Sequence, residues 1–414
     1  MAKEYKDLIV ALDIGSAKVM TLVGEVLPNG ELQLAGLGVC ASDGIKRGVV
    51  VNIDAAVTSI QSALKEAELM ADCKIGHVRI GISGDHIRGI NSTGVAAIRD
   101  REVSEEDVRR VESTAAAISI PSDRNLLLVA PQGYTIDQQN YVREPPVGMS
   151  GTRLEAMVHI ITGAHSAVEN IIKCVRRCGL AVDQIIPNPL ASSMAVLGAD
   201  ERELGVACVD IGAGTTDVAV FLGGALCHTA VIPIAGDLMT RDIAMALRTS
   251  IQEAEDLKTA HGCAKAQLAG LNTNIEVHGQ DGSEPRLLSR QVLAGVIEPR
   301  AEEIFRIVYD ELMDVLGGEE YVKQLSGVVL TGGAAAMPGM RELAHDILLK
   351  PVRYGVPNYT RALSEMVVQP YAATAMGLME DARQERLHGR APPPRAAAVG
   401  AFWSRVKDFF TGTF

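Results

Sequence analysis

Two stretches of the chain carry the same succession of apolar and polar positions. In the first, Ile9-Val10-Ala11-Leu12 runs apolar into Asp13, breaks at Gly15-Ser16-Ala17-Lys18 and turns apolar again at Val19. In the second, Val209 leads into Asp210, Gly212-Ala213-Gly214-Thr215-Thr216 forms the break, and Val218-Ala219-Val220-Phe221 follows. An apolar run, a glycine-rich turn and a returning β-forming run predict strand, tight turn, strand. Glycine admits positive φ and close backbone approach, so amides freed by Gly212 and Gly214, with the hydroxyls of Thr215 and Thr216, suit phosphate oxygens. An aspartate closing an apolar strand has no use in a plain hairpin; it suits Mg²⁺ held through water. The return of Asp-Ile-Gly about half a chain later predicts two homologous halves facing one ligand. Lys18, in the first copy only, adds a point charge for the phosphates.

Elsewhere the period changes with the element. Glu31 to Val39 reads as a further strand, Val57 to Met70 as an amphipathic helix with Ile60, Leu64 and Ala67 on one face, and Val78 to Ser83 as a buried strand. From Gly84 to about Gly163 the texture shifts to a charged helix capped by Ser104, strands such as Leu126 to Ala130, and the loop Glu144-Pro145-Pro146-Val147-Gly148. This block has no phosphate-type turn and reads as an inserted subdomain for contact with other proteins; Val158 to Thr162 reads as the strand resuming the first domain. A helix from Ser166 to Cys178, a strand from Val182 to Ile186 and a small-residue helix from Leu190 to Leu197 follow, the last suited to a close crossing between two domains.

The second half starts at Gly205. Beyond its hairpin come Gly236-Asp237 and a helix through Ala246, the segment Glu253 to Lys258, a β-like stretch ending near Leu288, and a long helix from Gln291 to Val315. A third glycine-rich turn, Thr331-Gly332-Gly333-Ala334, closes the apolar strand Val328-Val329-Leu330 and lets a flat ring or phosphate approach the backbone. The predicted order is 1–83 and 164–204 for the first domain, 84–163 for the inserted subdomain, 205–360 for the second domain with an insertion over about 237–303, 361–380 for a helix returning to the first, 381–399 for a linker and 400–414 for a closing helix.

Composition narrows the classes. A chain of 414 residues, 47% hydrophobic, supports two or more well-filled cores. Its formal charge of −12 argues against bulk nucleic-acid binding. The seven cysteines are scattered without a C-x-x-C pair, as expected for a reducing cytosol. The N-terminus is too charged for a signal peptide, and no apolar run reaches the roughly 18 residues that span a bilayer.

The segments Leu12 to Val19, Val209 to Phe221 and Gly327 to Gly339 resemble the two phosphate motifs and the adenosine motif of the actin, Hsp70 and sugar-kinase superfamily. Within it, Ala67-Glu68-Leu69-Met70-Ala71-Asp72-Cys73, Arg202-Glu203-Leu204-Gly205-Val206, Gly223-Gly224-Ala225-Leu226 and Val296-Ile297-Glu298-Pro299-Arg300 resemble the FtsA family of bacterial cell-division proteins along essentially the whole chain. The resemblance implies an α/β actin-like ATPase fold with two homologous domains around a nucleotide cleft, an inserted subdomain that makes filament contacts, and a C-terminal amphipathic helix. It implies ATP and Mg²⁺ as ligands. Asp13 and Asp210 would serve the metal, Gly15, Ser16, Lys18, Gly212, Gly214, Thr215 and Thr216 the phosphates with Gly236 near them, Glu255 and Lys258 the ribose and adenine, and Gly332, Gly333 and Ala334 the underside of the nucleoside. A C-terminal peptide of the tubulin-like protein FtsZ would dock near Arg286, Arg290 and Arg300. The implied role is a filament-forming protein, peripheral on the cytoplasmic face of the inner membrane at the division site, that anchors the FtsZ ring and recruits other division proteins. Where fast hydrolases of the superfamily place a Glu or Gln to hold water, this chain has only Asn188, so hydrolysis is expected to be slow.

A small-molecule kinase of the same superfamily is the competing reading, and it requires an acidic base outside the metal turns; a chaperone-like ATPase requires a substrate domain after the nucleotide domain. The tail favours the adaptor. Four of six Phe and the single Trp lie in the final 13 residues, with Phe402, Val406, Phe409 and Phe410 on one helical face and Trp403 at its border. From Asp381 onward the charged positions are basic at 383, 386, 390, 395, 405 and 407 and acidic at 381, 385 and 408, so the tail is basic where the whole is acidic. That combination predicts an interfacial helix on an anionic membrane surface, reached by a flexible Pro- and Arg-bearing linker.

Overall fold

The computed structural model describes residues 8–270, 273–279, 285–318, 324–359 and 365–387. Two five-stranded sheets repeat one topology. The first holds β1 (Leu8–Ile14), β2 (Lys18–Val26), β3 (Leu32–Ala41), β6 (His77–Ile82) and β11 (Ala181–Pro187) in the order β3-β2-β1-β6-β11. The second holds β12 (Val206–Ile211), β13 (Thr216–Leu222), β14 (Ala225–Ile232), β17 (Gly327–Thr331) and β18 (Val352–Tyr354) in the order β14-β13-β12-β17-β18. In each, three antiparallel strands are followed by two parallel ones. Strands buried on both faces need near-continuous apolar sequence, which is why β12 reads Val-Ala-Cys-Val-Asp-Ile and is buried throughout.

Helices cover these sheets. In the first half α1 (Ile53–Ala71) lays Ile60, Ala63, Leu64 and Ala67 on the sheet, preceded by a small hairpin of β4 (Ile45–Lys46) and β5 (Val49–Val50). Next come α3 (His165–Arg177), α4 (Asn188–Val196) and α5 (Ala199–Leu204). In the second half α6 (Gly236–Leu247), α7 (Ile251–His261), α8 (Arg290–Leu316) and α9 (Met340–Leu348) share one core with the sheet, and the hairpin of β15 (Asn274–Val277) and β16 (Arg286–Ser289) leads into α8.

The final described helix, α10 (Ala373–Leu387), crosses α4 so closely that a Cβ on Gly377 would stand 1.7 Å from the Ala191 carbonyl oxygen. The small residues of α4 therefore serve a crossing with α10, and α4 also packs against β12, β13 and β17 of the second half. Near its end α10 is clasped by Arg79 of β6, a buried guanidinium that bonds the carboxylates of Asp381 and Glu385 and the Gln184 side chain at 2.7 Å.

The inserted block is a third sheet, β7 (Arg88–Ala97), β10 (Arg153–Ala164), β8 (Arg124–Ile136) and β9 (Asn140–Val142), in that order and antiparallel, with α2 (Glu105–Ala116) on one face. Here one expectation fails. Val158 to Thr162 does not resume the first sheet; it lies inside β10, the insert's central strand. Its apolar run arises because β10 also leans on β14, where His159 Nε2 meets Thr229 Oγ1 at 2.9 Å, so both faces are buried. Gln132 adds a bond to the Leu226 carbonyl at 3.1 Å.

Ser104 caps α2 through a reciprocal box: Asp107 N–H donates to Ser104 Oγ at 3.1 Å and Ser104 N–H to Asp107 Oδ2 at 3.0 Å. The Ser104 hydroxyl, donating to Asp107 Oδ2 at 2.7 Å, together with the Ser104 N–H and the nearby Arg110 guanidinium, holds the Asp107 carboxyl below its usual range. Ser104→Ala is expected to destabilise α2 by about 1 to 2 kcal/mol, read as faster amide exchange across residues 105–116.

Candidate functional site

The ends of β1 and β12 point into one cavity of about 610 Å³ between the two halves. Their turns are built alike. Gly15 N–H donates to the Lys18 carbonyl at 3.0 Å, and Gly212 N–H to that of Thr215 at 2.9 Å. Both glycine amides are thus spent on shaping the turn, while those of Ser16, Ala17, Ala213 and Gly214 have no backbone partner among the described residues. All four residues line the cavity, two from each half, and amides left unbonded in this way suit an anion.

Asp13, Gly15, Ser16, Lys18, Asn188, Asp210, Gly212, Gly214, Thr215, Gly236, Glu255, Lys258, Gly332, Gly333 and Ala334 all line the cavity. Thr216 does not. Side chains alternate along a strand, so Thr215 faces the cleft while Thr216, fully buried, donates its hydroxyl to the Ile234 carbonyl at 2.8 Å. Its expected phosphate contact is corrected accordingly.

Gly332, at φ +93°, lies so close to Asp210 that a Cβ would stand 2.3 Å from Oδ1. Only glycine lets the third turn pass under that carboxylate. At the far wall Lys258 Nζ donates to Glu255 Oε2 at 2.7 Å, Thr240 Oγ1 at 2.8 Å and the Gly236 carbonyl at 3.2 Å, so α6 and α7 are fixed together where they meet the cavity. Asn188 Oδ1 is buried without a hydrogen-bond partner, an acceptor with unused capacity in the cavity wall.

Burial pushes the Asp13 carboxyl up to about 6; Lys18 opposes this and Asp210 adds to it. Burial likewise raises Asp210 to about 6, against hydrogen bonds from Thr374, at 3.2 Å, and Ser192. Lys18 is held below its ordinary range by burial, which outweighs its two aspartates, and its ammonium sits 4.2 Å from the Tyr371 ring centroid. Buried carboxylates with one partly compensating amine form a site that gains from a divalent cation.

Sequence reasoning missed Asp217. It faces Asp210 across the β12–β13 pair, accepts from Ser83 Oγ at 2.6 Å, and is raised well above the ordinary carboxylate range by burial and then by Asp210. An aspartate within Thr216-Asp217-Val218-Ala219-Val220, a strand otherwise fully apolar beyond its threonine, was the available signal. Ser83, Gly48, Tyr371 and Thr374 also line the cavity, brought there by elements that carry no phosphate pattern.

The three arginines expected to meet a partner are engaged within the fold. Arg286 bonds the Leu247 carbonyl at the end of α6, Arg290 the carbonyls of His261 and Gly262 at 2.7 and 3.2 Å, and Arg300 the carboxylates of Asp242, at 2.7 Å, and Glu303. Two of them satisfy helix C-termini, where a cation is favoured. The tail residues Phe402, Trp403, Val406, Phe409 and Phe410 lie outside the described residues.

The chain matches the sequence profile described as "Cell division protein FtsA" over residues 207–377 and that of the "SHS2 domain inserted in FTSA" over 84–162. It is 52% identical over 382 residues to the cell division protein FtsA of Pseudomonas aeruginosa, covering 92% of this chain and 91% of that one. With FtsA of Neisseria meningitidis serogroup B it shares 46% identity over 418 residues, all of both chains. Among solved structures, the PilM-PilN type IV pilus biogenesis complex superposes with a TM-score of 0.61 at 20% identity, covering 89% of this chain and 97% of the other. MreB 5 of Spiroplasma citri bound to AMPPNP gives 0.55 at 13% identity, with 94% and 100% covered. The paired sheets around one cleft are the actin-like fold, and identity sustained along the whole length decides the rest: the chain belongs to the FtsA family of bacterial cell-division proteins.

Proposed function

We propose that this protein binds Mg-ATP in the cleft, assembles into filaments, and acts as a peripheral protein on the cytoplasmic face of the inner membrane, where it anchors the FtsZ ring and recruits later division proteins. The observation that supports this most is the pair of equivalent turns facing each other across one cavity with an aspartate behind each. The free N–H groups of Ser16, Ala17, Ala213 and Gly214, with Lys18 and Thr215, would hold the phosphates, and the Gly332 backbone would pass under the nucleoside. Asp13 and Asp210 would orient metal-bound waters. Among the described residues no group of three His, Cys, Asp or Glu could hold a metal ion. Mg²⁺ supplies charge neutralisation of the outer phosphates. Asn188 can orient a water through Oδ1 but is no base, so turnover is slow and nucleotide acts chiefly as a conformational ligand.

The insert, with no chemistry of its own, is assigned to contacts between successive subunits; a head-to-tail contact that does not close yields a filament. An FtsZ peptide is assigned to the second insertion near Arg286, Arg290 and Arg300. Since their guanidiniums are used inside the fold, the exposed Leu287 and Val292 beside them carry the contact.

Among the described residues no helix is long and apolar enough to cross a membrane. Membrane contact is assigned to the C-terminal aromatic cluster. Trp403→Glu with Phe410→Glu is expected to leave nucleotide binding intact and to cut co-sedimentation with anionic vesicles at least tenfold; undiminished pelleting of the double variant would remove this anchor.

A further inference from the structure

The β4–β5 hairpin turns through Arg47, at φ +48°, and Gly48, at φ +75°. Positive φ at both central residues is the two-residue turn that twisted hairpins favour, and arginine is an unusual occupant of the first position. The turn is wedged among the cleft's phosphate-side residues. Gly48 N–H donates to Ser16 Oγ at 3.1 Å, and Gly48 itself lines the cavity. A Cβ on Gly48 would stand 2.8 Å from the Ser83 carbonyl group. From the other half, a Cβ on Gly214 would stand 2.9 Å from the Arg47 backbone and 2.4 Å from Ser16 Oγ. The turn is therefore where the first domain touches both phosphate turns at once. Yet the Arg47 side chain is exposed, and its guanidinium makes no hydrogen bond or ion pair among the described residues. Its charge is felt by Asp237, at the start of α6 on the opposite side of the cleft.

We propose that Arg47 is a phosphate-recognising residue that reads the third phosphate of a nucleoside triphosphate, donating to it from across the cleft and drawing the two halves together. This rests on the nucleotide reading above. On that reading Lys258, Gly333 and Ala334 form the nucleoside end of the cavity, whereas Gly48 lines it beside Ser16 and Ser83 and the Arg47 backbone abuts Gly214. A diphosphate held at the same nucleoside end leaves the guanidinium unused; a triphosphate gives its planar donors a doubly accepting partner.

The test is calorimetric titration of the full chain with Mg-AMPPNP and with Mg-ADP, in wild type, Arg47→Asn and Arg47→Lys. Asparagine tolerates left-handed backbone, so R47N removes the charge without straining the turn, and matched thermal unfolding checks the fold. The expected result is a rise of about tenfold or more in the Kd for Mg-AMPPNP in R47N, a change under about threefold for Mg-ADP, and partial recovery in R47K. Equal losses for both nucleotides, or none, in a folded variant would overturn the proposal while leaving the nucleotide site standing. A wild-type chain that bound neither nucleotide would overturn the underlying reading and the proposal with it.

Discussion

Gly377→Ala is expected to lower the unfolding free energy by about 3 kcal/mol or more, read as a fall in the thermal midpoint followed by circular dichroism. The added Cβ would occupy a point 1.7 Å from the Ala191 carbonyl oxygen, and backbone cannot step aside as a flexible side chain can. Either α10 must lift from α4 or both must shift on β1, β2 and β6, against which α10 packs Ala375, Leu378, Met379 and Ala382. Gly295→Ala is the matched control. It is also a helical glycine, but nothing lies within 4 Å of its added Cβ, so better helix propensity should stabilise by about 0.5 to 1 kcal/mol. Opposite signs from one chemical change would show that the crossing, and not the helix, demands Gly377.

Asp210→Ala is expected to raise the Kd for Mg-ATP by roughly tenfold to a hundredfold, with a much smaller effect when Mg²⁺ is chelated. The carboxylate stands behind the second turn, against Gly332, with Thr374 as its donor, so its loss removes the group proposed above to hold metal-bound water from that side. Its titration gives a second readout. Asp13 and Asp210 are raised to about 6, above the usual 3.8. A folded value above the unfolded one means the stabilising contribution is complete below pH 3.8 and is lost as pH rises through about 6. Above that range both carboxylates are ionised and buried, and a cation relieves them. Mg²⁺-dependent tightening of ATP should therefore grow between pH 5.5 and 7.5 in wild type, measured by calorimetry, and grow less in Asp210→Asn. A flat wild-type profile would place the metal elsewhere.

The two hairpin turns were legible because a glycine-rich turn between strands is a local device: Asp-Ile-Gly specifies its own backbone, wherever the rest of the chain goes. Helix α1 was legible from its periodicity, and α2 from its charged run and the capping residue Ser104. What sequence left hidden was placed by register. Asp217 reaches the cleft because it pairs with Asp210, and Gly48 because its hairpin lies under Ser16. Thr216 was misread for a related reason: two adjacent threonines look equivalent along the chain but point to opposite sides of a strand. The strand Val158 to Thr162 went to the wrong sheet because an apolar run reports burial on two faces without saying which neighbours supply it.

The clasp of Arg79 on α10 has a mechanical meaning. Whatever pulls on the chain beyond Leu387 loads α10 first, and a bare helix end would peel turn by turn under small tension. Arg79 holds Asp381 and Glu385, four residues apart, so traction is shared between them and passed into β6, an interior strand of the first sheet. From β6 the path is short: its last residue precedes Ser83, which is bonded to Asp217 across the cleft. If the tail is tethered and the cleft holds nucleotide as proposed above, a pull on the one and occupancy of the other meet at the end of this single strand.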